Sequence, residues 1–296
     1  MIRGVLLKGY GGFYYVYAED RVWECSLRGR FRVKDQEFIP GDRVKILPDQ
    51  ENKATIEEVE PRRNVLSRPA VANVDQAILV FALTSPKPDQ NLLDRLLVQV
   101  TEGGIEPILV FTKLDKFKKA VLTNEEGADS IGDVYRNIGY TVFEVSNETG
   151  QGIEELGARI SNKISVLAGP SGVGKSSLFN ALSPGKNLKT GDISIKSKRG
   201  RHTTRHVELM VCAGGLVADT PGFSSLSMPI MKRLELTDYF PEIASRRSQC
   251  RFNSCLHDKE PNCAIKAALE KGEIYPKRYE HYLIFLQEVM EAERKF

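Results

Sequence analysis

One short segment limits the fold of this chain more than any other feature: a glycine-rich loop between an apolar stretch and a helical one. Residues 169–176, with the sequence GPSGVGKS, fit the pattern G-x-x-x-x-G-K-[ST]. A strand is predicted before them over residues 164–168, and a helix from near Lys175. Glycines let backbone N–H groups turn towards phosphate oxygens, and a helix N-terminus adds partial positive charge. The segment therefore predicts an α/β sheet with a phosphate-binding loop.

Four positions match a metal-assisted phosphate site. Lys175 is expected to reach the β- and γ-phosphates, and Ser176 to offer its hydroxyl to Mg²⁺. Asp219 and Gly222 form a D-x-x-G motif after a second apolar strand. In such a motif the carboxylate holds the Mg²⁺ shell and the glycine N–H senses the γ-phosphate. The sequence thus predicts a nucleoside triphosphate site with bound magnesium.

A second motif predicts which base is bound. Guanine presents N1–H and N2–H₂ donors that adenine lacks, so a carboxylate at the base edge is left unpaired against ATP. Residues 112–115 (TKLD) follow a predicted strand and supply this carboxylate from Asp115. The usual pattern is N-K-x-D, so the threonine leaves one polar contact to the base open, and residues 146–147 are predicted to form a second loop beside the base. The residues assigned to nucleotide binding are Thr112, Lys113, Asp115, Ser146, Asn147, Gly169, Pro170, Ser171, Gly172, Val173, Gly174, Lys175, Ser176, Ser177, Asp219 and Gly222.

Length and strand spacing divide the chain into three blocks. With 296 residues it is long enough for two or three domains, and its longest apolar run, residues 77–83, is too short to cross a membrane. Residues 1–65 contain short strands separated by turns, which favours an RNA-binding barrel of OB type, although an SH3-like barrel has the same periodicity. Residues 66–227 alternate strands and helices, which predicts a parallel sheet, and residues 228–296 end in a helical stretch.

The order of the nucleotide motifs is rotated along the chain. In the common GTPase order the phosphate-binding loop comes first and the base-reading motif fourth, whereas here residues 112–115 precede residues 169–176. A parallel sheet tolerates this order, because its ligand loops need only meet at the carboxyl ends of the strands. The rotation places the D-x-x-G motif at the end of the sheet, directly before the C-terminal block.

Three of the five cysteines lie close together in that C-terminal block. Cys250, Cys255 and Cys263, with His257 between them, offer three thiolates and one imidazole. Four such ligands fill a tetrahedral Zn²⁺ shell and leave no position for water, which predicts one structural zinc ion per chain. Reduced thiols beside a solvent-facing histidine are the alternative.

The net charge of +3 is too small to indicate a nucleic-acid partner by itself. Local clusters of positive charge, however, favour RNA as a partner. Arg28, Arg30, Arg32 and Lys34 alternate with apolar or small residues, so an extended strand that runs through Val33 to Lys34 would place four cations on one face. The loop over residues 193–207 adds further lysines and arginines and has no acidic residue. For the barrel, a solvated cationic face balanced by distant acids is the alternative.

The barrel, the rotated GTPase motifs and the cysteine block together resemble the RsgA/YjeQ family of circularly permuted, ribosome small subunit-dependent GTPases. The segments that carry the resemblance are residues 112–115, 169–176, 200–204 and 219–222, with the four-residue cysteine and histidine set. The resemblance covers essentially the whole chain. It implies binding to the 30S ribosomal subunit and its 16S rRNA late in subunit assembly, with GTP hydrolysis stimulated by the ribosome.

No motif directly marks the residue that orients the attacking water. Many small GTPases carry a glutamine after D-x-x-G, but Phe223 stands there and forms no hydrogen bond to water. His202 is assigned as the catalytic residue, since an imidazole orients water or accepts its proton; contact of His202 with rRNA or solvent is the alternative. Close to it, Thr204, with Thr203 as second choice, is assigned to magnesium together with Ser176.

These features predict a cytoplasmic, monomeric, Mg²⁺-dependent GTPase that converts GTP to GDP and phosphate, binds no membrane and assists late maturation of the 30S subunit. Residues 1–4 show no start of a signal peptide, which favours the cytoplasm. Two alternatives stay open. One is a broad NTPase, because Thr112 replaces the usual asparagine, and the other is an RNA-binding protein whose nucleotide only stabilises the fold, because Phe223 replaces glutamine.

Overall fold

The computed structural model describes residues 1–29, 31, 37–67, 70–123, 130–183, 207–219 and 227–294, apart from the side chains of Ser67 and Asp219. The N-terminal part is a closed barrel. Its interior is filled by alternate apolar side chains, among them Leu6, Trp23 and Ile56. The bounds of its strands are β1 Ile2–Tyr10, β2 Phe13–Ala18, β3 Arg21–Leu27, β4 Arg43–Gln50 and β5 Lys53–Val59.

Strand order identifies the type of barrel. The strands neighbour one another in the order β1-β2-β3-β5-β4, β1 closes the barrel against β4, and β3 runs parallel to β5. This is the OB-type arrangement, which decides between the two barrels that strand periodicity left open. A two-residue turn at Gly11 and Gly12 joins β1 to β2, and both glycines have a positive φ, +60° and +82°.

One strand prediction in the barrel is wrong. β3 ends at Leu27, and the described residues Gly29 and Phe31 are helical, so the strand predicted to run through Val33 does not form there. Arg28 pairs with Glu57 of β5. The other cations of the predicted face, Arg30, Arg32 and Lys34, lie outside the described residues.

A short antiparallel hairpin, β6 (Val65–Ser67) and β7 (Ala70–Ala72), joins the barrel to the central sheet. The strands of that sheet are β8 Gln76–Ala82, β9 Glu106–Thr112, β10 Thr141–Glu144, β11 Ile164–Ala168, β12 Leu209–Cys212 and β13 Gly215–Asp219. The helices described between them are α1 Gln90–Glu102, α2 Leu114–Leu122, α3 Ile131–Ile138, α4 Ile153–Ile160 and α5 Lys175–Leu182.

The sheet has the strand order β10-β9-β8-β11-β13-β12, and neighbours are parallel except for β12, which is antiparallel to β13. All seven residues of β8 are buried, as expected for a central strand covered on both faces. The predicted parallel α/β sheet is confirmed. Because the loops after β8, β9, β10 and β11 leave from one edge, motifs that are far apart along the chain meet there.

The C-terminal part packs directly on helix α1. Val98 of α1 belongs to the same apolar cluster as Phe240 and Phe285. Short 3₁₀ turns occupy Glu235–Tyr239 and Arg247–Gln249, and the helices are α6 Pro241–Ala244, α7 Ala264–Glu270 and α8 Pro276–Glu293. Within the ranges given above, no helix is both long enough and apolar enough to cross a bilayer.

Candidate functional site

The phosphate-binding loop follows the buried strand β11 and leads into α5. Gly169, Gly172 and Gly174 have φ angles of +145°, +79° and +95°. A Cβ at Gly169 would lie 2.1 Å from the carbonyl oxygen of Val80, so a side chain there would push the loop away from β8. Val173 is 1% exposed and packs in the core beneath the loop. The glycines thus permit the loop conformation, and Val173 anchors it to the sheet.

The side chains assigned to phosphate binding lie on and beside this loop. The ammonium of Lys175 donates to the carbonyl oxygens of Gly169 (2.8 Å) and Pro170 (2.7 Å). Phosphate oxygens would be stronger acceptors for this ammonium than the two neutral carbonyls. Ser176 and Ser177 are half-buried in the first turn of α5, at the positive end of the helix dipole.

Only part of the predicted magnesium site lies among the described residues. Asp219 ends β13, and its register pairs it with Leu167 of β11, two residues before the phosphate-binding loop. Its backbone therefore lies beside that loop, close to the helix that carries Ser176. Hydroxyl and carboxylate oxygens are ligands that Mg²⁺ prefers, so Ser176 and Asp219 fit this ion. Other residues assigned to the γ-phosphate end lie outside the described residues, namely His202, Thr203, Thr204, Gly222 and Phe223.

The base-reading motif is bonded directly to the phosphate-binding loop. Thr112, at the end of β9, is fully buried, and its hydroxyl donates to the carbonyl oxygen of Val173. Lys113 has a φ of +63°, and its ammonium donates to the carbonyl oxygens of Gly172 (2.9 Å) and Ser85. Burial and a neighbouring lysine lower the pKa of Lys113. Sequence reasoning missed Ser85, because its contribution is a backbone carbonyl that no side-chain pattern marks.

Asp115, the residue predicted to read guanine, is held in place by Ser146. The hydroxyl of Ser146 donates to Oδ1 of Asp115 over 2.7 Å and accepts from the backbone N–H of Thr149 at 3.1 Å. Ser146 is fully buried just after β10, whereas Asp115 is partly exposed in the first turn of α2. A fixed and accessible carboxylate suits the N1–H and N2–H donors of guanine.

Asn147 completes this side of the site. Its Nδ2 lies 3.4 Å from the carbonyl oxygen of Gly174, the last glycine of the phosphate-binding loop. The loops after β9, β10 and β11 therefore meet in one place, with Asp115 on one side and Lys175 on the other. This is the arrangement that the motifs predict, although their order along the chain is rotated.

The cysteine block forms a compact cluster of ligand atoms. One ligand atom from each of Cys250, Cys255, His257 and Cys263 lies within 4.8 Å of all the others. The sulfur atoms of Cys250 and Cys263 are 3.9 Å apart and lie 3.6 and 3.5 Å from Nδ1 of His257. Tetrahedral zinc, with bonds of about 2.3 Å to sulfur and 2.0 Å to nitrogen, separates such atoms by roughly 3.5 to 3.8 Å. The four predicted ligands therefore fit a four-coordinate zinc ion.

Two tyrosines of helix α8 form hydrogen bonds with the backbone of the loop that carries the cluster. The hydroxyl of Tyr279 donates to the carbonyl oxygen of His257 at 2.6 Å, and that of Tyr282 to the carbonyl oxygen of Leu256 at 3.0 Å. Burial raises the pKa of Cys255 to about 12 and lowers the pKa of His257. Burial therefore disfavours the charged forms of both groups. A zinc ion would replace the thiol proton and compensate the buried thiolate charge.

Comparison with known proteins matches the chain to a family of GTPases. The chain matches the RsgA GTPase family model over residues 59–229 and the RsgA N-terminal domain model over residues 3–56. It is similar to the small ribosomal subunit biogenesis GTPase RsgA of Moorella thermoacetica (53% identity) and of Geobacillus kaustophilus (48% identity), each over 296 residues and 100% of both chains. Similar solved structures are YloQ, described as a circularly permuted GTPase (TM-score 0.78, 36% identity, 99% of this chain and 96% of that chain), and YjeQ from Thermotoga maritima (TM-score 0.79, 36% identity, 98% of each chain).

Proposed function

This chain belongs to the RsgA GTPase family and is a GTP-hydrolysing enzyme, and we propose that it acts on the small ribosomal subunit. In this proposal it binds the 30S subunit and its 16S rRNA late in assembly, and the bound subunit stimulates conversion of GTP to GDP and phosphate. The name of its relatives, small ribosomal subunit biogenesis GTPase, supports the small ribosomal subunit as the partner. The protein works as a monomer in the cytoplasm.

One contact carries the nucleotide assignment: the ammonium of Lys113 donates to the carbonyl oxygen of Gly172, 59 positions further along the chain. It joins the loop that ends at Asp115 to the phosphate-binding loop. A nucleotide with its phosphates on Lys175 therefore has its base beside a carboxylate, which favours guanine over adenine. This geometry supports GTP as the substrate over a broad choice of nucleoside triphosphates.

Hydrolysis at the γ-phosphate end depends on residues of the two switch segments. We assign Ser176 and Thr204 to Mg²⁺, with Asp219 in its shell and the N–H of Gly222 on the γ-phosphate. Bound Mg²⁺ would neutralise charge on the β- and γ-phosphates, and Lys175 orients the same phosphates through its ammonium.

Water activation is assigned to His202. Its imidazole positions the attacking water or accepts its proton, a role that Phe223 cannot perform because its ring forms no hydrogen bond to water. Turnover of the isolated protein is therefore slow, and docking on the subunit raises it by moving His202 towards the γ-phosphate. GTP favours the docked state, and loss of the γ-phosphate releases the switch segments and then the protein.

The flanking parts are assigned to rRNA contact. We divide the chain into the barrel (residues 1–65), the GTPase domain (66–227) and the zinc-binding helical domain (228–296). The OB-type strand order supports the first assignment, since such barrels bind oligonucleotides. In the last domain one structural zinc ion is held by Cys250, Cys255, His257 and Cys263. The barrel cations proposed to contact rRNA phosphates are Arg28, Arg30, Arg32 and Lys34.

GTP hydrolysis with and without purified 30S subunits tests this function. The wild-type protein is compared with Asp115→Asn, and each is given GTP, ATP and XTP in turn. Glu154→Gln, an exposed acidic residue in the first turn of α4, is the matched control. We expect the 30S subunit to stimulate GTP turnover specifically. The Asp115→Asn variant is expected to prefer XTP, because an amide complements the 2-oxo group of xanthine.

Two results would contradict the proposal. Turnover that 30S subunits leave unchanged would remove the ribosome from the reaction, even if GTP binds. Equal use of ATP and GTP by the wild-type protein would show that Asp115 does not read the base. Chelation of magnesium in the same assay tests the metal requirement separately from stimulation by 30S subunits and from selectivity for the base.

A further inference from the structure

We propose that Asn147 supplies the base contact that Thr112 cannot make: the Nδ2–H of Asn147 donates to N7 of the bound guanine. The inference rests on the guanine site proposed above, in which Asp115 holds the Watson–Crick edge of the base. It gives Asn147 a role in nucleotide affinity, while selectivity for guanine over xanthine stays with Asp115.

The hydroxyl of Thr112 is already engaged by the phosphate-binding loop. The residue is fully buried, and its hydroxyl donates to the carbonyl oxygen of Val173. A hydroxyl carries one hydrogen, whereas the asparagine of the usual N-K-x-D motif carries two N–H donors. An asparagine at this position is able to hold the loop and contact the base together. Thr112 holds the loop only, so a donor for the base has to come from another residue.

Asn147 places an amide close to the hydroxyl of Thr112, beside the phosphate-binding loop. A Cβ built on Gly174 would lie 3.4 Å from Nδ2 of Asn147 and 3.8 Å from the hydroxyl oxygen of Thr112, so both side chains flank this glycine. The amide that is missing at position 112 is therefore present beside it, contributed by the loop after β10. The two residues together provide the loop contact and the free donor that a single asparagine would provide.

The hydrogen bonds of Asn147 are incomplete among the described residues. Its Nδ2 reaches the carbonyl oxygen of Gly174 only at 3.4 Å, at the long end of hydrogen-bond distances. Its Oδ1 is buried and has no partner among the described residues. A buried and unpaired amide oxygen calls for an explanation, because unsatisfied polar groups are costly. Reorientation of the side chain when nucleotide binds, with Nδ2 donating to the ligand and Oδ1 turned towards water or another donor, is such an explanation.

The covalent structure of the nucleotide places N7 of guanine on the side of the base that faces the phosphate-binding loop and Asn147. The ribose is attached to N9, and N7 and N9 belong to the same five-membered ring of guanine. Since the ribose leads to phosphates held by Lys175, the five-membered ring faces the phosphate-binding loop when Asp115 holds the six-membered ring. N7 is an acceptor in both guanine and adenine, so an N–H donor there increases affinity for either purine.

Binding of 7-deaza-GDP, in which a C–H replaces N7, tests the proposal directly. Dissociation constants for GDP and 7-deaza-GDP are measured by calorimetry on the full chain. Loss of one neutral hydrogen bond is expected to weaken wild-type binding of the analogue by about three- to tenfold. The Asn147→Ala variant is expected to bind GDP and 7-deaza-GDP with the same reduced affinity.

Two further variants sharpen the test. Thr112→Asn in the Asn147→Ala background returns an amide with two donors to this side of the phosphate-binding loop and is expected to restore the preference for GDP over the analogue. Glu148→Ala alters the exposed neighbour of Asn147 and is the matched control, expected to keep the wild-type ratio. Asn147→Ala is also expected to keep the wild-type preference for GDP over XDP, which a general collapse of the pocket would abolish.

The outcomes separate this inference from the function on which it rests. If the wild-type protein binds neither guanine nucleotide, the proposed guanine site fails. If it binds GDP and 7-deaza-GDP equally, the guanine site stands and the role of Asn147 is overturned. This wild-type measurement needs no variant, so poor folding of Asn147→Ala does not affect it. A tenfold ratio that persists in Asn147→Ala would assign the N7 contact to another residue.

Discussion

The central sheet meets its two neighbours through junctions of different chemistry. At the C-terminal junction, Arg278 of α8 is 1% exposed and pairs with Asp94 of α1 and with Glu242 of α6. At the barrel junction, Lys8 of β1 pairs with Glu208, and these side chains are 37% and 45% exposed. Ion pairs occur at both, but the pair of Arg278 with Asp94 is buried, whereas the pair of Lys8 with Glu208 keeps contact with water. Breaking them therefore has very different energetic consequences.

The C-terminal junction is a network around a buried guanidinium. Arg278 donates to Asp94 at 2.6 Å and to the two oxygens of Glu242 at 2.7 and 3.2 Å. Asp94 also accepts from the hydroxyl of Tyr135 at 2.7 Å and lies 2.5 Å from Nδ1 of His281. Buried charges of this kind are stable only with their partners in place. The network therefore favours one orientation of the C-terminal part on α1.

The barrel junction relies mainly on shape and neutral groups. Leu7 of β1 belongs to the same apolar cluster as Leu209 of the sheet. The amide of Asn73 donates to the carbonyl oxygen of Gly41 at 2.9 Å, and a Cβ at Gly41 would lie 2.0 Å from the carbonyl oxygen of Ala72. A small displacement here weakens several modest contacts, and the ion pair that links the barrel to the sheet, Lys8 with Glu208, already keeps contact with water. We expect this junction to yield at lower cost than the other.

Removal of the proposed zinc ion is the largest expected change and acts on the C-terminal side alone. Tyr279 and Tyr282 tie α8 to the loop that carries the proposed zinc ligands. Chelation, or Cys255→Ser, is expected to unfold that loop and lower the amide protection of residues 276–293 by on the order of ten-thousandfold, because structural zinc contributes directly to folding. Hydrogen exchange measures this, with residues 2–59 as the internal reference. Unchanged protection after verified metal loss would contradict the assignment.

Loss of the buried guanidinium is the next largest effect. Arg278→Met leaves Asp94 and Glu242 without their shared cation in a buried site, which is expected to lower the free energy of unfolding by about 3 to 5 kcal/mol. Urea unfolding followed by fluorescence measures it. The matched control is Arg247→Met, because the ion pair of Arg247 with Asp238 is 51% and 56% exposed. That change is expected to cost below about 0.5 kcal/mol, and equal costs for the two variants would remove the distinction between the junctions.

Local motifs predict the residues of the nucleotide site. Contacts between residues that are far apart along the chain, such as the buried ion pairs, have no such local pattern. The phosphate-binding loop is readable because backbone geometry demands its glycines, as the 2.1 Å approach of Gly169 to Val80 shows. Arg278 and Asp94 lie 184 positions apart, and each is a charged residue in a helix, a type that is normally predicted to be exposed. Their burial depends on the meeting of two helices, which hydrophobic periodicity does not report.

The barrel shows a second limit of sequence reasoning. Alternation of apolar and polar residues predicts strands but not their order, so it does not distinguish an OB-type from an SH3-like barrel. The parallel pairing of β3 with β5 makes that distinction. Alternation also extended a strand through Val33, although β3 ends at Leu27. The parallel register of β3 on β5 ends with the pair Leu27 and Ile56. A strand continues only where a neighbour offers hydrogen-bond partners, and the cations beyond Leu27 do not encode that neighbour.

An intermediate effect is expected at a buried carboxylate near the barrel junction. Asp42 is fully buried and accepts from the backbone N–H of Ile39 at 2.9 Å and from Arg62 at 2.7 and 3.0 Å. Asp42→Asn is expected to cost about 1 to 3 kcal/mol, less than Arg278→Met, because Arg62 is 30% exposed and regains water. Thermal unfolding measures the difference, with the exposed Asp49→Asn as control. A cost above that of Arg278→Met would reverse the comparison.

The smallest effect is expected for the ion pair between the barrel and the edge of the sheet. Lys8 donates to Glu208 at 2.7 Å, but both side chains keep contact with water, so solvent and salt screen their attraction. A double-mutant cycle of Lys8→Ala and Glu208→Ala is expected to give a coupling energy of about 0.5 kcal/mol or less that disappears near 1 M salt. Coupling that is larger and independent of salt would show that the barrel is held by charge, as the C-terminal part is. Because Glu208 lies directly before β12, such a result would also make this pair a fixed link between the barrel and that edge strand.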